Sequence, residues 1–432
     1  MNKEVYEEFN QAVYRHKLDN GLSIQMMPMT GYHKTYAIFT TDFGSIDNQF
    51  IPYGEQDPIK VPDGIAHFLE HKMFEKQDHD AFDLFGKLGA DSNAFTSFTQ
   101  TSYLFSTTSH VHESLDVLLD FVQEPYFTEQ TVQKEQGIIG QEIKMYDDDA
   151  SWRLYLGILG NLYPNDPMHI DIAGTVDSIS KITPEYLMKT YQTFYQPSNM
   201  NLILAGNVNP EETINWIEEN QSQREFLPAI KPERLLKIND PSAHDVIPFR
   251  TLTMDVARPK VMVGLRGIEM PEDGHERLRY KLAIDLLLDV LFDDTSDNYL
   301  RLYNSEVLDD SFAYNLEMQR DFYFAYFSSD TDQMERFSDE IIAILESADQ
   351  QIDAARTRFN GIKNAEIGRL TGLLDSPETV ANHYAGKLFN GANLMDEIRE
   401  LRKIELTDLY DVAKRFIVSQ GISVFQIIPQ HR

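Results

Sequence analysis

The sequence of 432 residues contains no cysteine. Disulfides are therefore excluded, and so are thiolate metal ligands, which leaves histidine and carboxylate side chains as the strong ligands available. The sequence also has no apolar run of about eighteen residues, and its N-terminal stretch lacks the apolar core of a signal peptide. From these absences we expect a soluble protein with no membrane partner, most simply a cytoplasmic one.

Basic residues are also scarce. The chain has 38 lysines and arginines against 69 aspartates and glutamates, for a formal net charge of −31. Such a surface repels phosphate, so nucleic acid is not an expected partner. The charge favours a basic peptide substrate or a basic partner surface, while a general role in solubility is the more ordinary alternative. The length predicts two domains of about 200 residues each.

Against this background one pentad is distinctive: His67-Phe68-Leu69-Glu70-His71. On an α-helix, positions i and i+4 lie on one face about one turn apart, so His67 and His71 can bind the same metal ion. Two imidazoles, one further carboxylate and an open position form a catalytic zinc site, with Glu70 left over as a candidate general base. The alternative is a solvated helix face with two chance histidines. The apolar flanks disfavour it, because a buried cluster of this kind without partners carries a heavy desolvation cost.

A third protein ligand must come from elsewhere, and residues 128–149 are the best source. Their pattern predicts a helix with an apolar stripe, formed by Val132, Ile138, Ile139, Ile143 and Met145. Glu135 and Glu142 are seven residues apart, or two helical turns, and so share a face. Gly137 and Gly140 are poor helix formers, which predicts close approach by another element. Both glutamates can equally be ordinary surface charges.

The segment Asp91-Ser92-Asn93-Ala94-Phe95-Thr96 and the following residues to Ser106 are rich in threonine and phenylalanine. This composition predicts a pair of strands. By itself the pattern indicates no more than a plain hairpin.

Together, the pentad, a gap of about seventy residues, the E-x6-E helix and the Asn-Ala-x-Thr segment at 93–96 resemble the pitrilysin, insulysin and mitochondrial-processing-peptidase superfamily of inverted zincins. The likeness covers essentially the whole chain and is closest to the bacterial YmfH-like, processing-peptidase-like branch. It implies a zinc peptidase of the α+β class. Two homologous domains, each an antiparallel sheet flanked by helices, would face each other in a clamshell.

The resemblance also implies roles for individual residues. One zinc ion per chain would be bound by His67, His71 and Glu142, with Glu70 as the base. Glu135 would support a ligand from outside the coordination sphere. An extended substrate would add as a β-strand along the Asn-Ala-x-Thr segment, so the implied substrate-binding residues are Ser92, Asn93, Ala94, Phe95 and Thr96.

The chain also has the pattern of an internal duplication. Residues 181–206 and 403–428 share the plan of a helix followed by an apolar strand, at an offset of 222 positions. We therefore predict an N-terminal catalytic zinc-binding domain, a linker and a homologous non-catalytic substrate-binding domain, at 1–220, 221–248 and 249–432. Only the first half is expected to bind metal, because the positions 222 residues after the site are Asp289, Phe292, Asp293 and Asn364.

Residues 302–314 resemble the L-R-x-x-E-x-L-G-Y segment with which the second half of the family reaches the substrate. Tyr303 stands where the arginine is expected, and the tyrosine is either displaced to Tyr314 or absent. Tyr314 is therefore a candidate substrate-binding residue, and an ordinary strand aromatic is the alternative.

The predicted function is zinc-dependent endopeptidase activity on extended or unfolded peptides, basic ones among them. The alternative is a non-catalytic or partner-dependent subunit of a heterodimeric processing peptidase, acting as a peptide-binding scaffold. The complete motif favours the enzyme, because degenerate subunits usually lose a ligand or the base. We expect a homodimer or a heterodimer with a degenerate paralogue, and a monomer is the alternative.

Overall fold

A computed structural model of the chain describes residues 1–235, 245–383 and 386–430, so part of the predicted linker at 221–248 lies outside the described residues. The strands are β1 (Asn2–Tyr6), β2 (Gln11–Lys17), β3 (Ser23–Pro28), β4 (Thr35–Thr41), β5 (Gln49–Ile51), β6 (Ile59–Lys60), β7 (Asp91–Thr96), β8 (Thr101–Thr107), β9 (Met200–Gly206), β10 (Glu233–Arg234), β11 (Phe249–Met254), β12 (Lys260–Arg266), β13 (Ala313–Met318), β14 (Tyr323–Asp330) and β15 (Ile422–Pro429). The α-helices are α1 (Ile65–Phe74), α2 (Ala81–Leu88), α3 (Val111–Gln123), α4 (Glu129–Asp147), α5 (Ala150–Leu162), α6 (Val176–Ile179), α7 (Pro184–Phe194), α8 (Pro210–Ser222), α9 (Gly274–Phe292), α10 (Asp297–Asn304), α11 (Met334–Glu346), α12 (Ala348–Ala354), α13 (Phe359–Leu373), α14 (Pro377–Asn382), α15 (Leu394–Lys403) and α16 (Leu406–Phe416).

The chain divides into two compact units. The first comprises the described residues among Met1–Ile143, Asp171–Leu236 and Leu373–Tyr384, and the second those among Lys144–Ile170, Lys237–Gly372 and Ala385–Arg432. The domain boundaries at 220 and 248 were predicted from the duplication, and they stay a prediction. The compact units contain different residues from the predicted halves, because α5 packs on β12 and β15 of the second sheet, while α14 packs on β4 and β9 of the first.

The first unit is built on a seven-stranded sheet with the order β1-β2-β3-β9-β4-β8-β7. Its central strand β4 is buried along its whole length, including three threonines at its ends. Because β4 is covered on both faces, its burial does not alternate between successive residues. The sheet packs with α1 and α3 around a core that includes Phe39, Phe68, Tyr103 and Phe121. The strand β7 lies at the edge of this sheet, which no other described strand extends.

A small three-stranded sheet with the order β10-β5-β6 adds to the first unit. Its strand β10 lies inside the predicted linker and pairs with β5. Arg234 holds it in place, because its Nε donates to Asp47 Oδ1 at 2.9 Å and its Nη2 donates to the carbonyl of Asp42. This part of the predicted linker is therefore ordered.

The second unit contains a five-stranded sheet with the order β11-β15-β12-β14-β13. The order matches β3-β9-β4-β8-β7 of the first sheet. In both of these five-strand orders the first pair, β3 with β9 or β11 with β15, is parallel and the remaining pairs are antiparallel. The structure thus confirms the duplication and the predicted α+β class. A membrane-spanning segment would need a longer and more apolar helix than any that the described residues form.

Candidate metal centre

The helix that carries the pentad, α1, begins directly after a glycine in the left-handed conformation. Gly64, just before α1, has φ +91° and ψ −4°, and no side chain caps the helix there. A Cβ at Gly64 would lie 2.4 Å from the carbonyl oxygen of Ala173. The preceding residue is held from two sides: Asn48 Nδ2 donates to Asp63 Oδ1 at 2.7 Å, and Ser178 Oγ donates to the Asp63 carbonyl at 2.8 Å. The start of α1 therefore requires glycine for its conformation and for the close approach of Ala173.

Replacing Gly64 by alanine should lower the free energy of unfolding by about 1–3 kcal/mol, the typical cost of a strained residue, plus the cost of the contact with Ala173. Gly31 gives a matched control, because it has φ +88° but a Cβ there would meet nothing within 4 Å. Denaturant unfolding of both variants should show the larger loss for Gly64→Ala. Equal losses would show that the contact with Ala173 adds no cost.

The helix α1 is short and mostly buried. Eight of its ten residues are buried, including Glu70. His67 and His71 keep 13% and 26% of their side-chain surface exposed, and their ring centroids are 4.6 Å apart. The i, i+4 spacing therefore places the two imidazoles side by side at the partly exposed face of the helix.

Glu142 on α4 faces both imidazoles. Its Oε1 lies 3.7 Å from His67 Nε2, and its Oε2 lies 3.6 Å from His71 Nε2. The potential ligand atoms of the three residues all lie within 4.8 Å of one another. Among the described residues, this is the one group of three or more such side chains that could hold a metal.

The helix α4 departs from two expectations. A Cβ at Gly137 or at Gly140 would meet nothing within 4 Å, so the predicted close approach by another element is wrong. Of the predicted apolar stripe, Ile138 and Met145 are exposed by 48% and 64%. The buried side of α4 is formed by Val132, Glu135, Ile139, Gly140 and Ile143. The turn-by-turn pattern thus identified a helix but assigned too many residues to its buried side.

Glu135 contacts His71 on the side of the ring away from Glu142. Its Oε1 accepts a hydrogen bond from His71 Nδ1 at 3.0 Å. A carboxylate can only accept, so Nδ1 carries a proton, and in the neutral ring Nε2 keeps the lone pair that can bind a metal. His67 Nδ1 is buried and has no hydrogen-bond partner among the described residues.

The pKa values of the two imidazoles are shifted in opposite directions. Burial, together with the neighbouring His71, lowers the pKa of His67 to about 3. Burial opposes protonation of His71 too, but the hydrogen bond to Glu135 and the nearby carboxylates outweigh it and raise the pKa of His71. His67 is therefore neutral near pH 7, which is the state that binds metal.

Glu70 lies on the same helix but outside the group of three. Its Oε2 accepts a hydrogen bond from Thr96 Oγ1 at 2.6 Å. Burial raises the pKa of Glu70 despite this hydrogen bond. The resemblance implied a substrate-binding role for Thr96, and its contact with Glu70 was not predicted. The two residues are 26 positions apart on different elements, so no periodicity could have shown the contact.

The other predicted substrate-binding residues lie on β7, which pairs only with β8 among the described strands. Side-chain exposure alternates along β7, with Ser92, Ala94 and Thr96 half-buried and Asp91, Asn93 and Phe95 exposed. Two of the five predicted residues, Asn93 and Phe95, therefore direct their side chains away from the face on which Glu70 lies. Main-chain pairing at the edge does not depend on those side chains.

Tyr314 belongs to β13 of the second unit. Its hydroxyl donates to Asp289 Oδ1 at 2.9 Å, and burial raises the pKa of both groups, to about 7 for Asp289. Asp289 stands 222 positions after His67, where the sequence predicted that no metal site could be repeated. The role of Tyr314 in substrate binding stays a prediction.

The residues present fit a zinc ion. Two imidazole nitrogens and one carboxylate are the donors that zinc binds in catalytic sites with an open position. The second nitrogen of His71 is fixed by a carboxylate, as metal-bound histidines generally are. A structural zinc site would need a fourth protein ligand. Glu70 is buried nearby but is not one of the residues whose ligand atoms converge.

Comparisons with known proteins identify the family to which the chain is related. The family model described as "Insulinase (Peptidase family M16)" matches residues 55–176, and the model "Peptidase M16 inactive domain" matches residues 181–366. The relative named "Uncharacterized zinc protease YmfH" from Bacillus subtilis (strain 168) is 42% identical over 427 residues, 98% of each chain.

Solved structures share the fold. The crystal structure of an M16-like peptidase from Alicyclobacillus acidocaldarius is 31% identical, with a TM-score of 0.89 over 97% of this chain and 99% of that one. A protease from Helicobacter pylori is 21% identical, with a TM-score of 0.81 over 96% and 99% of the two chains.

Proposed function

The chain belongs to the insulinase family of M16 peptidases, and from that membership we propose that it is a zinc-dependent endopeptidase that hydrolyses extended or unfolded peptides. The observation that carries the proposal is the complete set of donors in one place. His67, His71 and Glu142 lie within 4.8 Å of one another, and Glu70, which is not one of them, lies on the same helix.

The proposed ligands are His67 Nε2, His71 Nε2 and a carboxylate oxygen of Glu142. A zinc ion bound there supplies an acidified water and polarises the scissile carbonyl. Glu135 keeps the His71 ring oriented through its hydrogen bond to Nδ1. It thereby fixes which nitrogen is presented to the metal.

Glu70 is the proposed general base. Its buried carboxylate takes a proton from the attacking water and returns it to the leaving amine. The raised pKa of Glu70 suits both steps, because a carboxylate that accepts a proton more readily is the better base and still releases the proton afterwards. One oxygen, Oε2, accepts the Thr96 hydroxyl, which leaves Oε1 as the oxygen for proton transfer.

The proposed substrate is a peptide in extended conformation that adds to the open edge of the first sheet along β7. Ala94 supports this, because its small side chain leaves the strand accessible. On α4, the exposed side chain of Ile138 lies one turn before Glu142 and offers an apolar contact close to the site. The net charge of −31 favours basic peptides among the substrates.

Metal removal tests the proposal. The purified protein should contain roughly one zinc per chain and cleave a mixed library of unstructured peptides. A chelator should abolish cleavage, and added zinc should restore it. A small folded protein should resist cleavage and become a substrate once it is unfolded, because only an extended chain can pair with β7.

Two outcomes would contradict the proposal. Cleavage that survives complete removal of zinc would show that the site is not responsible. Bound zinc without cleavage, even after a related degenerate subunit is added, would leave a peptide-binding scaffold as the function.

A further inference from the structure

The strand β7 presents alternate residues at its open edge. The N–H of Ser97, just after the strand, donates to the Gln100 carbonyl, and the registered pairs continue as Thr96 with Thr101 and Phe95 with Ser102. In an antiparallel pair, main-chain bonds form at every second pair. Phe95 and Asn93 therefore bond to β8, and the main-chain groups of Ser92, Ala94 and Thr96 point away from it.

A second observation agrees with this assignment. The N–H of Ala94 donates to Asn93 Oδ1 at 2.8 Å, as expected for a group that points away from β8. Thr96 lies two residues further on, so its main chain points to the same open edge. Its side chain points to Glu70. A single residue therefore joins the edge where a peptide would pair to the carboxylate beside the metal ligands.

The direction of the Thr96 hydroxyl is fixed by its surroundings. Thr101 Oγ1, its cross-strand neighbour, donates its own proton to the Phe43 carbonyl at 3.0 Å. The distance between the two threonine hydroxyls is 3.5 Å, against 2.6 Å from Thr96 to Glu70. A hydroxyl has one proton to give, and a carboxylate is the stronger acceptor. Thr96 therefore donates to Glu70.

We propose that Thr96 is a positioning residue that couples peptide docking on β7 to the placement of Glu70. The inference rests on the proposed peptidase function. A peptide that pairs with the main chain of Thr96 restrains that residue, and its hydroxyl then holds Glu70 Oε2 so that Oε1 faces the attacking water. Docking thus contributes to the rate of proton transfer as well as to binding.

The test uses a nested series of unstructured peptides with one scissile bond, lengthened in both directions. In the wild type, kcat should rise with length as pairing along β7 is completed. Thr96→Val replaces the hydroxyl by a methyl group and keeps the branched shape of the side chain. It should lower kcat for the longest peptide by about 10- to 100-fold and abolish the rise of kcat with length. KM should still fall with length, because the main chain is unchanged. Thr96→Ser should restore most of kcat.

Thr35→Val is the matched control. Thr35 is fully buried in the same unit and donates its hydroxyl to the Asn207 carbonyl at 2.8 Å, so the variant loses a comparable hydrogen bond elsewhere. Its kcat and KM should match those of the wild type. Crystal structures of zinc-loaded wild type and Thr96→Val provide a readout that does not depend on activity: the Glu70 carboxylate should leave its position in the variant.

The outcomes separate the two claims. An active wild type whose Thr96→Val variant keeps the length-dependent kcat, or keeps Glu70 in place, overturns the coupling alone. A uniform loss of kcat at every length, not restored by serine, also overturns it, because a merely structural role would give that result. A wild type without zinc-dependent cleavage overturns the peptidase function and the coupling with it.

Discussion

Replacing Glu70 by glutamine is expected to lower kcat by about 100- to 10,000-fold, the range that a positioned general base contributes. Glutamine keeps the length and shape of the side chain but cannot take a proton from the attacking water. Zinc content should stay at roughly one per chain, because Glu70 is not one of the three residues whose donor atoms converge. The Thr96 hydroxyl can still donate to the amide oxygen, so the local structure should persist.

The measurement is kcat and KM on one unstructured peptide, with metal analysis of the same preparation. Glu129→Gln is a matched control, because it makes the same change in charge at an exposed position in the first turn of α4. Its kcat should equal that of the wild type. Thermal unfolding of Glu70→Gln should match or exceed that of the wild type, because the variant removes a carboxyl whose pKa is raised by burial.

A Glu70→Gln variant with wild-type kcat would exclude Glu70 as the base. A variant that loses zinc together with activity would place Glu70 among the ligands and would contradict the assignment of Glu142 as the third one. Only loss of activity with zinc retained supports the proposed division of roles.

The site could be predicted in part from the sequence, because two of its proposed ligands lie within five residues on one helix. His67 and His71 are four residues apart on a helix, so spacing alone placed them on one face, and the structure does bring them together with Glu142. Helical spacing also gave Glu135 and Glu142 a common side of α4. Which of the two faces both Nε2 atoms came from the resemblance, because spacing within one helix contains no information about its orientation toward another.

Two contacts that position α1 and Glu70 could not be predicted from the sequence. The hydrogen bond from Thr96 to Glu70 joins different elements, and the close contact of Gly64 with Ala173 joins residues more than a hundred positions apart. The first depends on how β7 packs against α1, and the second on how the loop before α6 approaches the start of α1. A sequence pattern describes the faces of one element and does not describe these distances.

For the fold, the repeat at 222 positions indicated two copies of one plan, and the matching strand orders confirm it. That α5 packs on the second sheet and α14 on the first could not be predicted. The sequence of α5 shows that the helix has an apolar side but not which sheet that side covers, and the same holds for α14. Domain boundaries drawn from the repeat therefore differ from the composition of the compact units.

Glutamine substitutions at Glu142 and Glu135 are expected to separate a metal ligand from the residue that supports one. The two positions lie on one helix, two turns apart, and the change is chemically identical. Glu142→Gln replaces the carboxylate that faces both Nε2 atoms, so zinc affinity should fall by more than about 100-fold, beyond what the loss of a supporting partner costs. Glu135→Gln keeps an acceptor near His71 Nδ1 but removes its charge, so affinity should fall by about 10- to 100-fold.

Zinc affinity should be measured by competition with a chromogenic chelator, and kcat should then be measured at saturating zinc. Saturation should restore most of kcat in Glu135→Gln, because all three donors remain, and little of it in Glu142→Gln. The reverse order of effects would make Glu135 the ligand, which the geometry opposes, because its carboxylate contacts His71 at Nδ1, on the side of the ring away from Glu142. Equal losses for both variants would mean that the hydrogen bond to Nδ1 matters to the site as much as a bond to the metal.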